Sequence, residues 1–300
     1  MTVQIPFRRE LDFSYGSTAE LTPLIRRVIA RNPSAFTFHG TGTYIVGRGK
    51  VAIIDPGPEL AEHVDALLQA VRGETVTHIL ITHTHSDHSP ATRAVQKATG
   101  ATTYGFGSHP APPPGMQPQE SGDHAFKPDV TVADGDIIAG SGWTMEALHT
   151  PGHISNHLCF GLCEENALFS GDHVMGWSTS VISPPDGNMR DYFASLRKLL
   201  PRGDRLYYPT HGGPIPEPQD FVRQFIAHRE EREQQIVACI RNGAATIPAM
   251  VEIMYKDVPK QLHAAAARSV LAHMIHMHQT GRVLADGDGR PSETARYRLP

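Results

Sequence analysis

Apolar and polar positions along this chain follow two periods, and the switches between them mark its elements. Residues 36–46 and 51–55 carry a strand-type pattern joined by a turn at Gly47-Arg48-Gly49-Lys50, and Pro56-Gly57-Pro58 stops the second strand. Leu60, Val64, Leu67, Leu68 and Val71 then recur at the helical period, which predicts an amphipathic helix. An apolar run at 78–82 reads as a buried strand and 91–99 as a short helix. Residues 105–128, with Pro110-Ala111-Pro112-Pro113-Pro114-Gly115, read as an irregular surface loop that either shapes substrate entry or runs passively over the surface. Strand-type runs follow at 130–132, 143–149, 157–162 and 167–170, then a helix at 189–200 and a last strand at 206–208.

Strand clusters alternating with helices in two successive halves predict an α/β fold of two sheets packed face to face, with helices outside. The character changes near residues 220–230. Phe221, Val222, Phe225, Ile226, Ile236, Val237 and Ile240 lie along a charged segment and imply a long helix. Two more helices are expected at 247–255 and 262–279, then a hairpin from 281–285 and 294–299 around Asp286-Gly287-Asp288-Gly289. Three helices and a hairpin make a winged-helix pattern, so the expected domains are 1–225 and 226–300. Met274-Ile275-His276-Met277-His278 reads as core and rim rather than a metal box, packing against the first domain or forming a homodimer interface.

Composition narrows the classes. Forty per cent hydrophobic and 19% charged is ordinary for a globular protein. No apolar run approaches the length of a membrane span, so no membrane partner is expected. Residues 1–16 lack the apolar core of a secretory signal, which makes a cytoplasmic location the expectation. Cys159, Cys163 and Cys239 form no disulfide framework and are expected to be buried and reduced. The net charge of −4 argues against a strongly basic nucleic-acid binder. The balance is uneven: residues 227–300 hold 10 basic and 8 acidic side chains, against 17 and 23 before them.

The chemistry lies in Thr82-His83-Thr84-His85-Ser86-Asp87-His88, directly after the buried strand at 78–82. Alternation sends His83 and His85 to one side, and a turn brings Asp87 and His88 to a second point nearby. Imidazole nitrogen with carboxylate is a ligand set that suits zinc and, less exclusively, iron or manganese. His153, Asp172 and His211 each sit on a Gly- or Pro-flanked turn after a predicted strand. Alone, each would more often be structural; in this order they mark a metal site.

The order His-x-His-x-Asp-His, then His, Asp and His, resembles the metallo-β-lactamase-fold hydrolases. The resemblance implies an αββα sandwich with a two-metal site at one edge. His83, His85 and His153 would hold one Zn²⁺, with Asp87, His88 and His211 on the other and Asp172 bridging them; iron or manganese occupies similar sites. Asp55, after the Ile53-Ile54 strand, would orient the ligand loop. A metal-bridging hydroxide would then be the nucleophile, with Asp87 and Asp172 as the catalytic carboxylates.

Gly40-Thr41-Gly42-Thr43-Tyr44-Ile45-Val46-Gly47, Glu165-Asn166-Ala167-Leu168-Phe169-Ser170-Gly171-Asp172 and His228-Arg229-Glu230-Glu231-Arg232-Glu233 resemble the lactamase-β-like branch, which carries a C-terminal winged-helix domain. Its members include an endoribonuclease acting on single-stranded RNA and thioesterases releasing polyketides from carrier proteins. His157 matches a histidine of this branch, with a substrate contact and a supporting role equally open. Gly42 stands where relatives commonly have Asn, and the loops at 105–128 and 183–188 look specific to a subgroup. An ester or thioester hydrolase acting on a small acyl substrate, with promiscuous β-lactam hydrolysis, is the expected activity. Single-stranded RNA is the alternative substrate, and a DNA- or partner-binding regulator on a retired hydrolase fold is the non-enzymatic one.

Overall fold

The computed structural model describes residues 3–113, 119–287 and 289–300. Pro114 and Gly115 of the expected loop, and Asp288 of the terminal turn, lie outside the described residues. One sheet holds β1 (Thr18–Glu20), β2 (Ile25–Ile29), β3 (Gly42–Val46), β4 (Lys50–Ile54), β5 (Thr75–Leu80), β6 (Thr102–Gly105) and β7 (Val130–Thr131) in sequential order. Neighbours are antiparallel as far as β4 and parallel beyond it, with α1 (Ala61–Ala70) and α2 (Thr92–Thr99) as crossovers. The second sheet runs through β8 (Ile137–Ala139), β9 (Thr144–His149), β10 (Leu158–Leu162), β11 (Ala167–Gly171), β12 (Leu206–Pro209) and β13 (Ile215–Pro216). It is antiparallel except at β11–β12, where α3 (Met189–Leu199) makes the connection.

Alternation along the strands sorts side chains into layers. Tyr44, Val46, Ala52 and Ile54 pack into one cluster with Met145, Ala147, Phe160 and Phe169 of the second sheet. Ile45, Val51 and Ile53 point the other way, onto Leu67 and Val95 of α1 and α2. Leu148, Cys159, Leu168 and Tyr207 meet Tyr192, Phe193 and Leu196 of α3. Burying each such Ile, Leu or Phe stabilises the fold by roughly 1.5–3 kcal/mol over leaving it exposed. The result is the expected αββα order of layers.

The helix α4 (Pro218–Arg241) joins the sandwich to the remaining domain. Its Phe221, Val222 and Phe225 pack with α3, whereas Ile236 and Cys239 join a separate cluster with Ile247, Met250, Val270 and Met274. That cluster is built by α5 (Ile247–Met254), α6 (His263–Gln279) and the hairpin β14 (Leu284–Ala285)–β15 (Tyr297–Arg298), a winged-helix arrangement. Position 225/226 falls inside α4, so a continuous helix rather than a linker connects the two parts. No helix among the described residues is long and apolar enough to cross a membrane.

Three features depart from the sequence pattern. The strand expected from residue 36 begins only at Gly42, because Ser34 Oγ accepts from Phe36 N and Thr37 N while Asn32 Oδ1 accepts from Thr41 N. These bonds divert the chain into a turn. Cys163 is exposed at the head of a short 3-10 turn, although Cys159 and Cys239 are buried. The strands β1, β2, β6, β8 and β13 are additional to those the pattern predicts.

Candidate metal centre

Asp55 follows β4, the 81–88 loop follows β5, His153 follows β9, Asp172 follows β11 and His211 follows β12. Five strand ends therefore deliver all these side chains to one edge of the sandwich. His83 Nε2 and His153 Nε2 each lie 3.0 Å from His85 Nδ1. Asp87 Oδ2 is 3.2 Å from His211 Nε2 and 3.3 Å from His88 Nε2. Asp172 Oδ2 stands between them, 3.5 Å from His211 Nε2, 3.6 Å from His88 Nε2 and 3.8 Å from His153 Nε2. Facing donor atoms form three groups, His83–His85–His153, Asp87–His88–His211 and His83–His88–Asp172, each within 4.8 Å.

The far side of four of the five rings fixes which nitrogen faces the centre. His153 Nδ1 donates to Val181 O at 2.6 Å and His211 Nδ1 to Gly40 O at 3.2 Å. His88 Nδ1 donates to Asp55 Oδ2 at 3.0 Å. Thr82 Oγ1 donates to the same carboxylate at 2.6 Å and so accepts from His83 Nδ1 at 3.1 Å. Asp55 also accepts from Thr82 N at 2.8 Å, and it adopts a φ of 49°, a left-handed conformation uncommon outside glycine. One carboxylate thus clamps both ends of the ligand loop. Gly40 has a φ of 131°, and a Cβ there would lie 2.0 Å from Ala30 O, so only glycine presents this carbonyl to His211.

In the neutral rings, bare nitrogen lone pairs therefore face one another and two carboxylates. His88 Nε2 and Asp172 Oδ1 are buried without any hydrogen-bond partner. Facing lone pairs repel unless a cation or proton separates them. Donors about 2.1 Å from a tetrahedral ion stand roughly 3.4 Å apart, comparable with the spacings here. The residues present fit divalent metal.

Charge follows the same logic. Burial, with His88 and His85 adding to it, holds the His83 imidazole well below its usual range, and burial does the same for His85. Burial pulls His211 down too, but Asp172 and Asp87 outweigh it and hold the ring up to about 10. His88 is raised in the same way by Asp87 and Asp172. The metal-free centre thus keeps protons on His88 and His211. For His211 this contributes stability fully present below about 6.5 and lost as pH rises through about 10. A metal ion must displace such protons, so its affinity is lowest in acid. Zinc uptake near pH 7 is expected to release protons, with apparent affinity rising about tenfold per pH unit for each one displaced. Calorimetry in buffers of different ionisation enthalpy counts them, and uptake without proton release would contradict this charge arrangement.

The cluster opens into a cleft floored by His85 and His153. Its walls are His109, Pro110, Gln119 and Glu120 on one side and the 183–187 segment, through Pro185 and Asp186, on the other. No Lys or Arg lines it among the described residues. Ser86 N donates to Ser121 O at 2.9 Å and Asp123 N to Thr84 O at 2.8 Å, so the first wall is fastened to the ligand loop. Burial pushes the Glu120 carboxyl up to about 7, and its Oε2 lies 3.9 Å from His85 Nδ1. Asp87 is the most open side chain of the cluster, with 21% exposure against 7% for Asp172.

His157 is fully buried. Its Nδ1 meets Thr150 Oγ1 at 2.9 Å, and its Nε2 accepts from Asp172 N at 3.1 Å. It does not line the cleft, and its Nε2 holds the Asp172 backbone N–H. Gly171 makes this approach possible, since a Cβ there would lie 2.5 Å from His157 Nε2. Gly42 donates to Thr210 O at 2.9 Å, and a Cβ would meet that carbonyl at 3.1 Å, beside His211 rather than in the cleft. Sequence reasoning missed Glu120 and His109, which no spacing singles out, and the carbonyls of Gly40 and Val181.

Residues 37–211 match the model of the metallo-beta-lactamase superfamily, from the turn before β3 to the last histidine of the cluster. The chain belongs to this superfamily. Residues 246–290 match the beta-lactamase associated winged helix domain. A lactamase-like protein of Aspergillus niger, adaB, is 30% identical over 298 residues, covering 88% of this chain and 87% of that protein. An atrochrysone carboxyl ACP thioesterase of Aspergillus fumigatus is 31% identical over 286 residues, covering 87% and 84%. Among solved structures, a metallo-beta-lactamase family protein from Thermus thermophilus superposes with a TM-score of 0.75 at 21% identity, over 94% of this chain and all of that one. The protein is thus a metallo-beta-lactamase superfamily hydrolase whose His and Asp cluster can hold metal.

Proposed function

We propose that this hydrolase is dinuclear and cleaves an ester or thioester of a small acyl substrate. His83, His85 and His153 hold one metal, Asp87, His88 and His211 the other, and Asp172 faces both. Zinc suits these donors best, with iron and manganese next. When bound, the metals supply a water of lowered pKa and a positive centre for the acyl oxygen. The protein's own part is to fix the lone pairs. Asp55 and Thr82 orient His83 and His88, Val181 O and Gly40 O orient His153 and His211, and His157 seats Asp172. Asp87, the most exposed of the seven side chains, is placed to pass a proton outward.

The observation that carries the acyl reading is the cleft itself. Glu120 and Asp186 line it, with prolines and no cation among the described residues, a poor track for a polyphosphate backbone. The thioesterase name of a relative covering most of the chain supports the same reading.

A panel of acyl-thioesters, lactones, a chromogenic β-lactam and single-stranded RNA, given to zinc-reconstituted protein, tests it. Thioester or ester turnover is expected to dominate and to fall by more than about 100-fold in His85→Ala, beyond the usual loss from an outer-shell change. RNA cleavage lost in His85→Ala, with thioesters left intact, would replace the acyl reading by the nuclease one.

A further inference from the structure

A second cavity, of about 250 Å³, lies between the sandwich and the winged-helix domain. It shares Gln119 with the metal cleft. The 179–182 segment that lines it is also tied to the metal centre: Val181 O accepts from His153, and Ser180 O accepts from the Arg229 guanidinium. Phe36, Val258, Leu262 and Ala266 make one side apolar, and His228, Arg229 and Arg232 of α4 make the other.

The charge there is uncompensated. Arg229 is 3% exposed, its Nε has no hydrogen-bond partner, and no carboxylate among the described residues lies within 4.0 Å of it or of Arg232. The acids of α4 are engaged elsewhere. Glu230 pairs with Arg197, Glu231 accepts from Val3 N, and Glu233 takes His273, His276 and Arg282. Elsewhere in the chain, buried Arg26 has Glu74, and Arg202 has Asp204 and Glu146. Arg27, the other buried guanidinium without a carboxylate, sits beside Gly42 inside the sandwich. His228 Nδ1 is also buried without a partner, and burial, with Arg229 and Arg232 close by, drives its ring down to about 3. It faces the cavity neutral, so the positive charge is that of the two guanidiniums. Burying a guanidinium such as that of Arg229 without a counter-ion is costly unless an anion joins it.

We infer that this cavity is an anion subsite, which holds a carboxylate or phosphate group carried by the substrate while the scissile bond lies in the metal cleft past Gln119. The winged-helix domain then selects substrate by charge. The identity of that substrate as an acyl thioester rests on the function proposed above.

Three thioesters separate the sources of the anion: S-pentanoyl-N-acetylcysteamine, neutral; S-glutaryl-N-acetylcysteamine, with a carboxylate on the acyl side; and S-pentanoyl-4′-phosphopantetheine, with a phosphate on the thiol side. One charged substrate is expected to exceed the neutral one by about 10–100-fold in kcat/KM, as charge-assisted bonds allow, and Arg229→Gln should bring that ratio near one. Arg232→Gln, whose side chain meets Gln235, Met254 and Tyr255, should lower the same ratio and covers a failure of Arg229→Gln to fold. A ratio near one in the wild type, or one unmoved in both variants, overturns the inference and leaves the proposed function standing. A second readout needs no turnover. In metal-free protein the Arg229 Nε–H resonance should shift on adding glutarate or 4′-phosphopantetheine, even if no thioester is cleaved. A shift with a short oligoribonucleotide and with neither small anion would overturn the assignment to a small substrate.

Discussion

Asp172→Ala is expected to strip both metals and to lower hydrolysis by more than about 100-fold, beyond the range of outer-shell changes. The carboxylate has nitrogens of both groups within reach, at 3.5 Å for His211, 3.6 Å for His88 and 3.8 Å for His153. Its removal leaves that cluster of imidazoles with one less negative charge and an open gap at its middle. Asp87→Ala provides the contrast. Of the cluster's imidazoles, Asp87 Oδ2 lies beside those of His88 and His211, so its loss should release one equivalent of metal and spare the other. Metal content by elemental analysis, alongside turnover of the best thioester, separates a shared ligand from a terminal one. An Asp172→Ala protein that keeps two metals and near-normal turnover would sink the assignment.

The seven side chains of this cluster were legible because each sits on a turn at a strand end. There the sequence shows both an apolar run and a polar residue that a core would not accept. Asp55 was legible for the same reason, as the first polar position after Ile53-Ile54. The tie from Asp55 through Thr82 to His83 was not, since a threonine between two histidines carries no pattern of its own. Glu120 and His109 reach the cleft on a Pro-rich segment without periodicity, placed by bonds to the ligand loop that depend on the fold.

The strands that the pattern did not announce have a similar origin. In β2, Ile25–Ile29, Arg26 and Arg27 occupy adjacent positions and are both buried, so the alternation that announces a strand is absent. Glu74 at 2.7 Å makes Arg26 tolerable there, a partner about fifty residues away that local reading does not supply. The helices of the last domain, by contrast, bury regular stripes, and Met274 and Met277 lie in the core while His276 reaches Glu233. What the sequence left open in that domain was its relation to the sandwich. Arg229 reads as one of several tail arginines along a charged helix until the structure buries it against Ser180.

Asp55→Asn should be nearly as damaging as loss of a ligand, although Asp55 touches no metal position. Its carboxylate accepts three bonds, from Thr82 N, Thr82 Oγ1 and His88 Nδ1, and has no proton to give. If the Asn oxygen keeps the backbone N–H, its amide NH₂ meets Thr82 Oγ1 and His88 Nδ1. Thr82 must then turn its hydroxyl proton to His83 Nδ1, and both rings take the tautomer with a proton on Nε2, aimed at the centre. One histidine of each metal group would be blocked at once, with no change in side-chain volume. Metal affinity and activity are each expected to fall by about 10–100-fold or more, while circular dichroism and compactness stay those of the wild type. Asp55→Glu is the informative companion: its longer carboxylate retains acceptors but not their placement, so it should recover metal before it recovers turnover. Nitrogen NMR of His83 and His88 in zinc-loaded protein reads the tautomers directly. Wild-type-like Nδ1–H signals in Asp55→Asn, together with unchanged metal affinity, would show that Asp55 serves only to hold the loop.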